Sequence, residues 1–259
     1  LYITYGVSKF LSGILSDKVS PRLFMASGLA ITGVCNVLFG MSSSLTWFGI
    51  FWALNGVFQG WGWPPCTKQL MHWFSSSERG RWWSLNSTSH NLGGAAIPLV
   101  AAGAGAIWGW QSAMILPGVI CILGGLLLFE RCRGVPSSLG LPPVEVYRGE
   151  QLTTEATDKS KMSVKDILFG QVLTSPGVWV LAISYFFTYV VRTAINDWGA
   201  LYLIQTQDFT PVVASSAITW FEIGGCAGTI LVGWLSDTLF RGKRIPLLLW
   251  YSLILFIVI

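Results

Sequence analysis

Apolar residues in this chain come in long runs rather than in alternation. The runs lie at about 1–16, 22–42, 46–74, 82–106, 110–129, 176–204 and 211–236, and a last one begins near 245. A helix needs roughly 20 mostly apolar residues to cross a hydrocarbon core. The pattern therefore predicts eight membrane helices, the first and last incomplete. The runs are too long, and too free of period-two alternation, for a closed β-barrel. Ser8/Ser12/Ser16, Gly56/Gly60 and Gly224/Gly228 recur at the interval that lets membrane helices approach closely. Between 130 and 175 the pattern breaks. Glu130, Arg131, Arg133, Arg148, Glu150, Lys159, Lys161 and Lys165 stand among Pro, Ser and Thr. The expected organisation is a helical block over 1–129, a polar linker over 130–175, and the start of a second helical block over 176–259.

Composition sharpens this picture. Hydrophobic residues make up 53% of the 259, and charged residues only 11%. A soluble domain carries about 25% charged residues, so a globule in water is a poor reading and a bilayer a good one. The fold class is an all-α polytopic membrane protein. The five cysteines are scattered without a CxxC pair, and there are two histidines. No disulfide framework, metal site or cofactor is expected. No Walker loop, nucleophile elbow or zincin motif occurs, so the chain does not read as an enzyme. The net charge of +4 carries no suggestion of nucleic acid, because its basic residues are sorted by loop. Lys18, Arg22, Arg79, Arg81, the linker cations, Arg241, Lys243 and Arg244 fall in every second loop. The positive-inside rule puts those loops in the cytoplasm. Lys9, Lys68 and Arg192 remain inside apolar runs.

Gly13-Ile14-Leu15-Ser16-Asp17 returns as Gly233-Trp234-Leu235-Ser236-Asp237, each copy closing a run and followed by basic residues. Internal repetition of this kind is how many transporters are built, with the substrate site between the repeats. Around these copies the chain resembles the major facilitator superfamily. It is most similar to the organophosphate:phosphate antiporters, through Tyr5-Gly6-Val7-Ser8-Lys9-Phe10, Gln59-Gly60-Trp61-Gly62-Trp63-Pro64-Pro65-Cys66, His90-Asn91-Leu92-Gly93-Gly94 and Asn196-Asp197-Trp198-Gly199. Leu54-Asn55-Gly56 and Leu203-Ile204-Gln205 look most like hexose-phosphate carriers and glucose-6-phosphate translocases. Ser87, where many relatives have Asn, is a departure. The resemblance implies two six-helix halves, of which this chain covers helix 2 to part of helix 9. It implies exchange of a sugar phosphate for inorganic phosphate by alternating access, or a membrane sensor for glucose 6-phosphate with the same fold. It also implies a monomer in the cell (inner) membrane, or alternatively in the endoplasmic reticulum membrane.

Ionisable groups within membrane runs are functional candidates by default. Arg192 is the sharpest, since a guanidinium stays charged in an apolar helix and fits phosphate oxygens as a fork. The plain alternative is a buried ion pair with Asp197 or Glu222. In the resembled antiporters the arginine at this position binds the substrate phosphate, and a second comes from helix 1. Lys9, about 12 Å up its helix from Asp17, either attracts phosphate or snorkels. Lys68 reads as snorkelling. His90 is either an imidazole hydrogen-bonding phosphate or a neutral residue satisfied by Asn86 or Ser87. Glu222 pairs with a cation, one on helix 1 being the natural candidate, or carries a proton. Asp197 orients Arg192 or caps a bend. Tyr189 shares the Arg192 face and, with Trp63 and Gln59, is expected to line a sugar-phosphate pocket. Asp17 and Asp237 pair with basic residues at the helix ends.

Overall fold

The computed structural model describes residues 1–16, 19–75, 78–149, 168–238 and 244–258. These residues are helical almost throughout and contain no strand. Nine principal helices follow one another: α1 (Tyr2–Leu15), α2 (Pro21–Met41), α3 (Leu45–Gln59), α4 (Trp63–Trp73), α5 (Arg79–Trp108), α6 (Ser112–Arg131), then α8 (Pro176–Gln207), α9 (Pro211–Thr238) and α10 (Arg244–Val258). A single turn, α7 (Val144–Tyr147), lies between α6 and α8. Among the described residues, five segments are long and apolar enough to cross a membrane: α2, α5, α6, α8 and residues Pro211–Val232 of α9. Their outer faces carry exposed Leu, Ile, Val and Phe along most of their length, as a lipid-facing surface requires.

The run 46–74, read from the sequence as one helix, is two. It breaks at Gly60-Trp61-Gly62, and α4 restarts with proline in its first turn. Two contacts fix the break. Trp61 stacks on Phe24 at 4.5 Å, over Gly28, where an added Cβ would lie 2.8 Å from the Trp61 Cβ. Pro64 and Pro65 lack the N–H groups that a continuous helix would need, which costs nothing at a helix start.

Polar side chains and small residues hold the helices together. The Ser8 hydroxyl donates to the Val57 carbonyl at 2.5 Å, and Ser12 donates to the Gly60 carbonyl at 2.9 Å. Gly60 has no room for a Cβ against Ser8, so two of the three predicted small-residue stripes do pack. The third does not. Nothing lies within 4 Å of a Cβ added at Gly224 or Gly228, and Gly224 lines a cavity instead. The most extensive seam joins α2 to α6. There a Cβ on Gly33 would sit 2.5 Å from the Gly118 carbonyl, and one on Gly125 would sit 2.9 Å from the Ala30 nitrogen. Asn55 donates to Asn36 between α3 and α2. Lys68 donates to the Ser16 carbonyl at 2.9 Å, a cation on the last turn of α1. Arg22 donates to the Phe129 carbonyl and lies 4.6 Å from the Phe129 ring centroid.

The stretch that follows α6 is docked on the helix ends. Gln69 and Trp73 of α4 donate to the carbonyls of Arg133 and Gly134, at 2.8 and 2.7 Å. Arg79 pairs with Glu145 at 3.3 Å, and Arg148 with Glu78 at 2.7 Å. The later helices meet the earlier ones chiefly along α9 and α5, where Thr219 donates to the Ala95 carbonyl at 2.9 Å. That seam brings the site together.

Candidate functional site

Arg192 stands at the middle of the 32-residue α8. Its Nη2 donates to both oxygens of Glu222 on α9, at 2.9 and 2.8 Å, and to Asn91 Oδ1 on α5, at 3.3 Å. Asn196, one turn beyond Arg192 on the same face, donates to Glu222 Oε1 at 3.0 Å. The Asn91 amide donates in turn to Thr229 Oγ1 at 3.4 Å. Glu222 is 2% exposed and Asn91 6%, whereas the Arg192 side chain keeps 30% of its surface. A buried carboxylate costs several kcal/mol unless it is paired and hydrogen-bonded. Glu222 is both, so the cluster is electrostatically closed on its inner side. On the outer side it opens to a cavity of about 510 Å³. Thr188, Val191 and Ile195 of α8 line it, with Trp220, Phe221, Gly224 and Gly225 of α9.

The sequence places these residues by helical arithmetic. Arg192 and Asn196 are four apart, and Glu222, Gly225 and Thr229 recur at three and four, so each set forms one stripe. Gly94 supplies the room: an added Cβ there would lie 3.0 Å from the Glu222 Cδ. Asn91, Gly94, Asn196 and Thr229 do not stand out in the sequence as carriers of chemistry. Asn91, Gly94 and Asn196 fall inside the motif stretches, and the i, i+3 spacing of Asn91 and Gly94 is the available signal.

Other expectations are redistributed. Glu222 finds its cation on α8. Asp197 does not orient Arg192; it accepts a hydrogen bond from the Tyr2 hydroxyl at 2.5 Å, tying the start of α1 to α8. The reason is angular. Asp197 comes directly after Asn196, about 100° further round the helix, and so faces a different neighbour. Tyr189 stacks on Tyr185 at 5.3 Å, and Thr188 rather than Tyr189 lines the cavity. His90 is exposed on α5, within electrostatic reach of Arg192, Glu222 and Lys9. Lys9 belongs to a second group. Its Nζ lies 5.5 Å from the Tyr5 ring centroid and 6.0 Å from that of Trp63, and Trp63 meets Trp83 edge-on at 5.7 Å. Gln59 is exposed at the end of α3, just before the break. Asp17 and the Asp237 side chain lie outside the described residues.

The described helices form a membrane-type bundle with a charged cluster and a cavity between them. Comparison with known proteins then narrows the class. The Major Facilitator Superfamily model matches residues 1–259. A probable hexose phosphate transport protein of Chlamydia trachomatis is 52% identical over 98% of this chain and 58% of its own length. The membrane sensor protein UhpC of Escherichia coli is 46% identical over 97% and 57%, and a glycerol-3-phosphate transporter of Bacillus subtilis 39% over 94% and 56%. A crystal structure of a bacterial homologue of the human lysosomal transporter Spinster superposes with TM-score 0.70 at 16% identity, over 93% of this chain and 54% of that one. The chain belongs to the major facilitator superfamily, with relatives of the organophosphate:phosphate antiporter kind, and is an integral membrane protein. It spans about half the length of the curated relatives it matches.

Proposed function

We propose that this chain forms the central part of a secondary carrier that exchanges a sugar phosphate, hexose 6-phosphate in our reading, for inorganic phosphate. The observation that carries the reading is the Arg192 guanidinium, held at mid-helix beside a cavity and still partly open to it. A fixed fork of this kind suits a phosphoryl group. The names of the relatives supply the substrate class. Residues 1–129 and 176–259 belong to two halves that rock about the cavity, with 130–175 as the cytoplasmic linker. Arg192 binds the phosphoryl oxygens, with the helix 1 arginine that the resemblance implies on the other side. Lys9, His90, Trp63, Gln59 and Tyr189 form the approach, where cations raise the local anion concentration. Glu222 keeps the empty site from carrying a bare buried charge. With Arg192 paired to Glu222, the helix 1 arginine is the cation that an anion must neutralise, so only a loaded carrier changes face, and transport is exchange. The carrier works as a monomer in the bacterial inner membrane.

A second reading has its own support: the UhpC relative, named a sensor, matches the same span at 46% identity. Proteoliposomes separate the two. The full-length protein is reconstituted with phosphate inside, and uptake of labelled glucose 6-phosphate is measured. Uptake that requires internal phosphate is the expected result. Binding of glucose 6-phosphate without uptake favours the sensor, and no response to any phosphorylated sugar overturns both.

A further inference from the structure

Away from Arg192, a second cavity of about 400 Å³ lies between α2, α4 and the end of α6. Met25, Leu70, Trp73 and Leu128 make its walls mainly apolar. Cys132 and Arg133, the first residues after α6, also line it. Two guanidiniums meet on that side, since Arg22 and Arg133 both lie within electrostatic reach of the Cys132 thiol. Each has a fork to spare. Arg22 uses Nε on the Phe129 carbonyl, which leaves its Nη1–Nη2 end without a hydrogen bond among the described residues. Arg133 uses Nη1 on the Glu130 carbonyl, which leaves its Nε–Nη2 edge in the same state. Either pair of nitrogens can hold two oxygens of one phosphate. The neighbouring carboxylate, Glu130, faces Arg131 at 3.5 Å.

We propose that this place binds one anionic phospholipid, its phosphate held by Arg22 and Arg133 and an acyl chain laid in the cavity. A free anion gains nothing from walls of Met, Leu and Trp, and a bare hydrocarbon has no use for two guanidinium forks. The two features together call for an amphiphile. Leu23, Leu126 and Leu127 are exposed close by on α2 and α6, the kind of surface that bilayer lipid covers. The apolar span of α6 ends at Arg131, so the forks lie at headgroup depth. Basic pockets between membrane helices are suited to acidic headgroups. Charge chooses among lipids here: a zwitterionic headgroup brings its ammonium towards two guanidiniums, and an acidic one does not.

The test uses the full-length protein, purified in detergent and titrated with phosphatidylglycerol or phosphatidylcholine, with bound lipid counted by native mass spectrometry. The wild type is expected to retain one phosphatidylglycerol about tenfold more tightly than phosphatidylcholine. Arg133→Gln, at an exposed position, lowers phosphatidylglycerol affinity about fivefold and leaves phosphatidylcholine unchanged. Arg22→Gln does the same, and the double variant loses the preference. Leu70→Trp fills the cavity and weakens both lipids. If Leu70→Trp does not accumulate, the arginine variants carry the test. A large excess of inorganic phosphate leaves the bound lipid in place. Equal retention of the two lipids by the wild type, or a preference that survives loss of both arginines, overturns the proposal. Release of the lipid by inorganic phosphate makes this a free-anion site and overturns it as well. The inference does not rest on Arg192: a protein that fails to exchange phosphate in proteoliposomes still has this lipid site to show or to lack.

Discussion

Arg192 is conspicuous in the sequence because a guanidinium in an apolar helix has nowhere to hide. Glu222 stands out for the same reason. Their pairing is only one alternative at that level, since nothing in a linear sequence fixes the relative rotation of α8 and α9. The carboxamides around them are less legible still: Asn and Thr occur in many membrane helices as ordinary packing polar groups. The pairing changes how Arg192 should be tested. Arg192→Ala leaves Glu222 buried without its cation and confounds folding with binding. Arg192→Lys keeps the charge and removes the fork. It is expected to retain normal protein levels and to weaken phosphate binding at least about tenfold, as measured by equilibrium binding. Gly94→Ala is a second residue-scale prediction. Its methyl meets Glu222 Cδ at 3.0 Å, so the carboxylate must shift by a few tenths of an ångström. Exchange activity is expected to fall several-fold at unchanged thermal stability, read by assay and melting curve on one preparation.

The helices show both how far hydropathy reaches and where it stops. Runs of apolar residues locate α2, α5, α6, α8 and α9 to within a few residues, because lipid burial needs length and little else. The same signal hides the break between α3 and α4, where apolarity continues through Gly60-Trp61-Gly62. Local chemistry is the better guide there, with two glycines and two prolines in six residues. The α2–α6 seam depends on residues that hydropathy scores as nearly neutral. Gly33→Ala places a methyl 2.5 Å from the Gly118 carbonyl, backbone that has no rotamer to escape into. The helices must part, at a cost of about 1–3 kcal/mol. A lowered melting temperature in detergent is the expected outcome, and an unchanged one would show that the seam is looser than described.

Among the described residues, α8 and α9 meet the earlier helices through contacts of two kinds. The α5–α9 seam is broad and mixes apolar packing with Thr219 and Asn91. The contact at the other end is a single hydrogen bond, Tyr2 to Asp197, on the side away from the linker. A single bond is the easier one to open, so the rocking proposed above is expected to separate α1 from α8 there while α5 and α9 pivot. A reducible thiol-specific cross-linker bridging Tyr2→Cys and Asp197→Cys should arrest exchange and release it on reduction. Unimpaired exchange by the cross-linked pair would place the moving contact elsewhere.

The docked stretch after α6 is a strap as well as a connection. Residues 132–149 are held to α4 and α5 by Gln69, Trp73, Glu78 and Arg79, so they move as part of that group. Nicking or lengthening the chain within 132–147 therefore strips a strap from the ends of α4 and α5, and injures that group itself rather than its connection to the rest.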